Sequence, residues 1–212
     1  MTEELRNKAR ELLKSRKVEV IIGYQRAADG VSAQPCFIDN EKDAGLLIWD
    51  SYCVYNLANY LKDYPGKSVG ILAKSCDLKS IVVLLQENQL KRENLFILGI
   101  DCLGVVDEKR LGHGSERGEE VGFARKCKKC PPAALTICDF VVKDAQERRK
   151  ISDDYDEYES VRKQEVKAAS ERSKFWEEEF SRCIRCYACR QVCPMCYCPK
   201  CVADQSMPAW FS

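Results

Sequence analysis

One histidine occurs in the 212 residues, and no apolar run approaches the roughly 18 residues that a membrane span needs. The second absence excludes a bundle of transmembrane helices. A secretory leader is not expected either, because the opening MTEELRNKARELLKSRK alternates charges where a signal would carry an apolar core. The single histidine, His113 in RLGHGSERGEE, sits between Gly112 and Gly114 and reads as part of a mobile surface loop. With one histidine so placed, a general-base constellation or an activated cysteine nucleophile has little support. GHGSERG matches no P-loop spacing, and no G-x-G-x-x-G follows an expected strand, so both common phosphate-binding fingerprints are missing. Charge of one sign is missing too: 34 basic residues stand against 33 acidic ones. No overall field recommends nucleic acid or a membrane surface as a partner, and the chain is expected to be cytoplasmic.

What is abundant is cysteine, with fourteen residues. In a reducing cytoplasm, thiols clustered at short spacing are metal ligands in preference to disulfides. Seven of them lie in CIRCYACRQVCPMCYCPKC, from Cys183 to Cys201. The first four follow C-x2-C-x2-C-x3-C-P, the ferredoxin run for a 4Fe-4S cluster. Two-residue spacers let a tight loop wrap Cys183, Cys186 and Cys189 around one cubane while backbone N–H groups turn toward the sulfurs. Cys193, the cysteine before proline, belongs in two-cluster ferredoxins to the other cluster. The remaining Cys196, Cys198 and Cys201 make no complete second run. Cys198 or Cys201 is available as the fourth ligand of the first set, and C-x-C-x2-C also suits zinc. Arg182, Arg185 and Arg190, interleaved with these ligands, should favour the more negative reduced state and raise the potential.

Along the chain, residues 2 to 15 carry Leu5, Ala9, Leu12 and Leu13 at helical spacing, and the spacing predicts an amphipathic helix. VEVIIGY, PCFI, GLLIW, SVGILAK and NLFILGI read as strands, with helices at CVYNLANYL and at DLKSIVVLLQENQL, the latter begun by Asp77 as N-cap. SVGILAK, its helix and NLFILGI form a βαβ unit, which requires parallel strands. Cys53, Cys76 and Cys102 then each fall just beyond the carboxyl end of an expected strand, where open α/β sheets bind ligands. Cys127 and Cys130, in KCKKCPP, return from a Gly- and Lys-rich loop able to close over the same edge. Cys36 and Cys138, inside apolar runs, read as core. Seven C-terminal thiols and five at the edge make twelve, three sets of four, although two clusters with spare thiols fit nearly as well.

Composition divides the chain into an α/β domain over 1–145 with a parallel or mixed sheet, a charged connecting helix over 146–182, and a small ferredoxin-like iron-sulfur module over 183–212. The connecting segment carries a sparse stripe, Tyr158, Val161, Ala168, Ala169, Trp176 and Phe180, expected to lie on the main domain. Phe175 and Trp176 are placed to shield a cluster from water, and plain packing explains them as well. The apolar MPAWF near the end reads as a docking strip or a fold-back.

VIIGYQR, IWDSYCVYNLANYL, AKSCDLKSIVVLLQE, ILGIDCLGVVD, CKKCPP and FWEEEFSRCIRCYACRQVCPMCYCPKC together resemble the beta-subunit family of deazaflavin (coenzyme F-420) hydrogenases and dehydrogenases, over almost the whole chain. The resemblance implies iron-sulfur clusters and membership of a multisubunit redox complex in anaerobes, beside heterodisulfide-reductase-like, hydrogenase, formate-dehydrogenase or flavoprotein partners. Longer relatives are expected to continue past the cysteine-rich module, whereas this sequence stops at ADQSMPAWFS. Two classes of function follow: an electron-transfer subunit with two or three 4Fe-4S clusters, which the crowding of cysteines at the strand ends favours, and an FAD-containing oxidoreductase subunit that reduces a deazaflavin or nicotinamide. A zinc-stabilised interaction module without redox chemistry is the third.

Overall fold

The computed structural model describes residues 1–107, 122–128, 130, 135–142, 156, 158–199 and 201. Five strands form one mixed sheet: β1 (Val20–Arg26), β2 (Ala33–Ile38), β3 (Val69–Ala73), β4 (Leu95–Ile100) and β5 (Phe140–Val142), in the order β2-β1-β3-β4-β5. Only the β1–β2 pair is antiparallel, and β1, β3, β4 and β5 run parallel. VGILA and LFILGI, the central strands, are buried at every position, as strands covered on both faces must be. At the edge, β2 buries Ala33, Cys36 and Ile38 and exposes the residues between more freely.

Helix α1 (Thr2–Lys14) buries Leu5, Ala9, Leu12 and Leu13, the four residues its spacing marked. It lies across the sheet, with Lys8 Nζ 5.9 Å from the Phe96 ring on β4 and 5.3 Å from Phe140 on β5. The β3–β4 crossover contains α2 (Ser75–Gln86), whose Leu78, Ile81 and Leu84 enter the core.

Four local expectations are corrected. Gly45–Trp49 is not a strand: a 3-10 turn spans Glu41–Leu46, capped by Asn40. Because β1 is already paired with β2 and β3, the segment gains one bond to it, Ile48 N–H to Tyr24 O at 2.9 Å. CVYNLANYL makes a 3-10 turn, Leu57–Asp63, in place of an α-helix, since the Asn56 side chain accepts from Ala58 N and Pro65-Gly66 soon ends the run. Asp77 is not the N-cap of α2 but its third residue; Lys74 occupies the cap, and the Asp77 carboxylate accepts its N–H at 2.9 Å. Among the described residues, the charged connector holds two helices, α3 (Glu159–Glu165) and α4 (Ala169–Ser181), broken at Ala168, whose N–H is taken by the Glu171 carboxylate at 3.0 Å.

The connector's stripe does not lie on the main domain: Tyr158, Val161, Trp176 and Phe180 are exposed. Its aromatics pack on one another instead, Phe175 edge-on to Trp176 at 5.0 Å and Trp176 stacked on Phe180 at 5.8 Å. A short helix, α5 (Ala188–Val192), falls within the cysteine run. His113, the MPAWF strip and the 145/146 boundary lie outside the described residues. Among those described, no helix is long and apolar enough to cross a membrane.

Candidate metal centre at the carboxyl edge of the sheet

Strands β3 and β4 pair from Val69↔Leu95 to Ala73↔Gly99, so their carboxyl ends open side by side. Cys76 follows the first in the opening turn of α2, and Cys102 follows the second by two residues. The chain beyond folds back over this edge through bonds from Val106 N–H to Ser51 O (2.9 Å), Ala124 N–H to Val105 O (2.8 Å) and Lys126 Nζ to Val54 O (2.8 Å). That closure brings in Cys127 at the end of a 3-10 turn, Arg125–Cys127, with Cys130 just after. Backbone N–H groups already address sulfur: Gly104 N donates to Cys102 Sγ and Val105 N to Cys127 Sγ, both at 3.4 Å.

The electrostatics link the same thiols. Burial pushes Cys102 up to about 11, with Lys74, Cys127 and Cys76 among its charged neighbours. Burial raises Cys76 too, followed by the Asp77 carboxylate, with Lys74 and Lys126 opposing and Cys130 adding to the rise. Cys102 thus has Cys76 and Cys127 as neighbours, and Cys76 has Cys130. Cys53 stands apart. It is fully buried, pushed up to about 12 by burial, and bonded back to its own loop by Asp50 N–H at 3.5 Å and Asp50 Oδ1 at 3.9 Å. Cys36 is buried in β2 and Cys138 packs against the core.

Beneath the four thiols lies a polar network that the residue pattern did not flag. Lys74 is 2% exposed, and Asp77 and Tyr24 are 0% exposed. Lys74 Nζ donates to Tyr24 OH at 2.6 Å, to Asp77 Oδ2 at 3.0 Å and to Tyr55 O. Tyr24 OH donates to the same carbonyl at 2.5 Å, and Asp77 Oδ1 accepts Leu57 N–H at 2.9 Å. Burial works against the Lys74 ammonium, but the Asp77 carboxylate and the neighbouring thiols outweigh it and hold the pKa above lysine's ordinary value. The signal was present: a lysine directly after an apolar strand, in AKSCD, has to be paired if the strand is buried.

The C-terminal thiols are placed differently. Cys183, Cys186 and Cys189 are exposed on a loop and on α5. Arg185 and Tyr187, flanking Cys186, adopt φ of 55° and 58°, a left-handed backbone that is uncommon for non-glycine residues. Cys193 caps α5, Cys196 N–H bonds its carbonyl at 3.0 Å, and the Cys196 thiol has those of Cys193 and Cys201 as neighbours. Cys198 is exposed. This end of the run is tied to the α/β domain by Asn59 Nδ2 to Gln191 O (2.5 Å), Lys62 Nζ to Cys196 O (3.4 Å) and the Tyr197 hydroxyl to the Glu87 carboxylate.

Among the described residues no three His, Cys, Asp or Glu side chains gather around a single metal ion. A four-iron cluster bonds each thiolate to a separate iron, so a wider set of sulfurs met by backbone N–H groups is the arrangement it needs. The edge offers four thiols, of which Cys102 and Cys127 are met by backbone N–H groups.

Fold and composition together define a cysteine-rich α/β chain. No protein-family model matches the sequence. Among curated proteins, it is 24% identical to the F420-dependent formate dehydrogenase subunit beta of Methanocaldococcus jannaschii, over 92% of this chain and 72% of that one. It is 19% identical to the F420-dependent formate dehydrogenase 1 subunit beta of Methanococcus maripaludis, over 87% of this chain and 69% of the relative. At low identity but over most of its length, the chain is similar to these beta subunits, which supports the resemblance to the beta-subunit family of F420 hydrogenases and dehydrogenases.

Proposed function

We propose that the chain is an iron-sulfur electron-transfer subunit of a cytoplasmic, multisubunit redox complex of anaerobic metabolism. The observation that supports this reading is the placing of Cys76 and Cys102 just past the parallel strand ends, partly buried, with Cys127 and Cys130 among their neighbours and the Lys74 ammonium beside them. A 4Fe-4S cluster supplies, when bound, reversible one-electron chemistry. The chain's own residues would hold and tune it. The four edge thiols are one ligand set. Cys183, Cys186 and Cys189 begin a second, with Cys198 or Cys201 as its fourth member. Cys193, with Cys196 and Cys201 beside it, belongs to a further centre, for two or three clusters in all. Gly104 and Val105 N–H groups stabilise negative sulfur, as Arg182, Arg185 and Arg190 do electrostatically around the exposed loop. The relatives are named as subunits of F420-dependent formate dehydrogenases, which supports a partner of formate-dehydrogenase, hydrogenase or heterodisulfide-reductase-like type.

The test is iron, acid-labile sulfide and flavin content, with EPR of the dithionite-reduced protein, on material purified without oxygen. About eight to twelve irons and as many sulfides per chain are expected, as two or three four-iron clusters require, and Cys102→Ser should remove about four of each. Stoichiometric flavin would move the assignment to an FAD-containing oxidoreductase reducing a deazaflavin or nicotinamide. Zinc without sulfide would end both.

A further inference from the structure

We propose that the buried Lys74–Asp77 pair sets the reduction potential of the centre held at the sheet edge, an inference that rests on the cluster reading of Cys76 and Cys102. Both side chains are withdrawn from solvent, at 2% and 0% exposure, so neither charge is screened by water or salt. Both are immobile. All three protons of Lys74 Nζ are donated, to Tyr24 OH, Asp77 Oδ2 and Tyr55 O, while Asp77 also accepts the N–H groups of Lys74 and Leu57. The network joins β1, the end of β3, the first turn of α2 and the segment before the Leu57–Asp63 turn, which is the wall of the site. Cys76 lies between the Lys74 cap and Asp77 in that first turn, and Lys74 is a charged neighbour of Cys102 as well.

Neither residue is a ligand; they are positioning residues acting by charge. Reduction of the centre adds one electron, supplied by dithionite in the test, and breaks no bond in the chain. The added negative charge meets a pair whose net charge is zero. Removing the ammonium leaves an unbalanced carboxylate and disfavours that electron, whereas removing the carboxylate's charge leaves an unbalanced ammonium and favours it. A network that only supported the fold would be loosened by either change, and its disruption would not reverse in sign.

The experiment titrates the EPR signal that Cys102→Ser abolishes, in the full chain loaded with iron and sulfide. Lys74→Met should lower the midpoint and Asp77→Asn should raise it, each by about tenfold or more in the one-electron equilibrium, ~59 mV per factor of ten. The double variant should return most of the way to wild type. It buries no unpaired charge, so it stays informative if one single variant fails to assemble, and the sign of the surviving single variant then decides. Shifts of both singles in one direction, or no shift, overturn the inference. A wild-type protein without iron and sulfide, or a Cys102→Ser protein that keeps its full complement, sinks the cluster reading itself and is told apart by analysis before any titration.

Discussion

Lys74→Met has a second consequence, in stability. The substitution keeps most of the apolar stem of the side chain and removes the charge, which leaves the Asp77 carboxylate at 0% exposure without its counter-ion. Breaking one member of a buried pair costs about 3–5 kcal/mol. The lower end applies here, because Asp77 retains two backbone donors, Leu57 N and Lys74 N, both at 2.9 Å. Tyr24 OH keeps its bond to Tyr55 O, so the tyrosine itself is not stranded. A loss of about 3 kcal/mol at a urea slope of ~2 kcal/mol/M moves the unfolding midpoint down by about 1.5 M. Lys74→Met/Asp77→Asn should recover about 2 kcal/mol or more, since a neutral replacement of a buried pair is often close to neutral in stability. Equilibrium urea unfolding of the thiol-reduced chain, followed by circular dichroism, measures all three. Because the Lys74 pKa is raised, the pair's contribution is complete below lysine's ordinary range and is lost as pH climbs through the higher folded value. A single-variant loss under about 1 kcal/mol, or a double variant as weak as the two singles summed, would refute the account.

Alkaline pH should destabilise the fold from about pH 9 upward, because the Cys36 and Cys53 thiols are pushed from 9.0 to about 12 by burial and stay protonated while their unfolded counterparts ionise. Each contributes up to ~1.4 kcal/mol per pH unit, and Cys36→Val should flatten the slope measured between pH 9 and 11; an unchanged slope counts against it. Gly99→Ala should cost about 1–3 kcal/mol, since the new methyl would collide with Cys138 Sγ and meet Leu135 Cδ2 at 3.3 Å. Cys138→Ala should return part of that loss in thermal unfolding, and no rescue would show the clash to be misplaced. Trp176→Ala and Phe180→Ala, on an exposed stripe, should leave urea unfolding of the α/β domain within about 0.5 kcal/mol of wild type. With iron loaded, a bulky anionic chelator should remove metal in two phases, and Cys183→Ser should abolish the fast one; loss of the slow phase instead would reverse the order of accessibility.

Long apolar runs were the legible part. Val69–Ala73 and Leu95–Ile100 are buried throughout, so no alternative structure competes with a central strand, and the helix between them follows. GLLIW carried the same local signal and failed, because strand formation needs a free edge and β1 had none to offer. Asp77 illustrates a different limit. Its type marks a helix start, but whether it caps from the first position or the third depends on what lies opposite, here Leu57 N–H and a lysine ammonium. The positions of Cys76 and Cys102 were readable from the strand ends. Cys53 was not, since the strand before it does not exist and its sulfur turns back to Asp50. The connector's stripe misled for a related reason: helical spacing identifies a face, and says nothing of whether this chain covers it.

The two cysteine regions differ in what they ask of a metal centre. At the sheet edge the thiols ride on the most rigid part of the chain, two buried parallel strands and the helix between them, and their surroundings are already desolvated. Burial disfavours the thiolate forms of Cys76 and Cys102 there, raising the first and pushing the second up to about 11. A cation is therefore useful at that edge in a way it is not on the exposed loop, and Lys74 is the one lysine the described fold buries fully. Cys183, Cys186 and Cys189 face water, where the arginines interleaved with them are screened. On the proposed function this difference orders the relay. Potential at the inner centre is governed by charges the fold holds fixed, while potential at the outer one responds to whatever excludes water from it, and a partner subunit closing over the loop would change the outer value and leave the inner one alone.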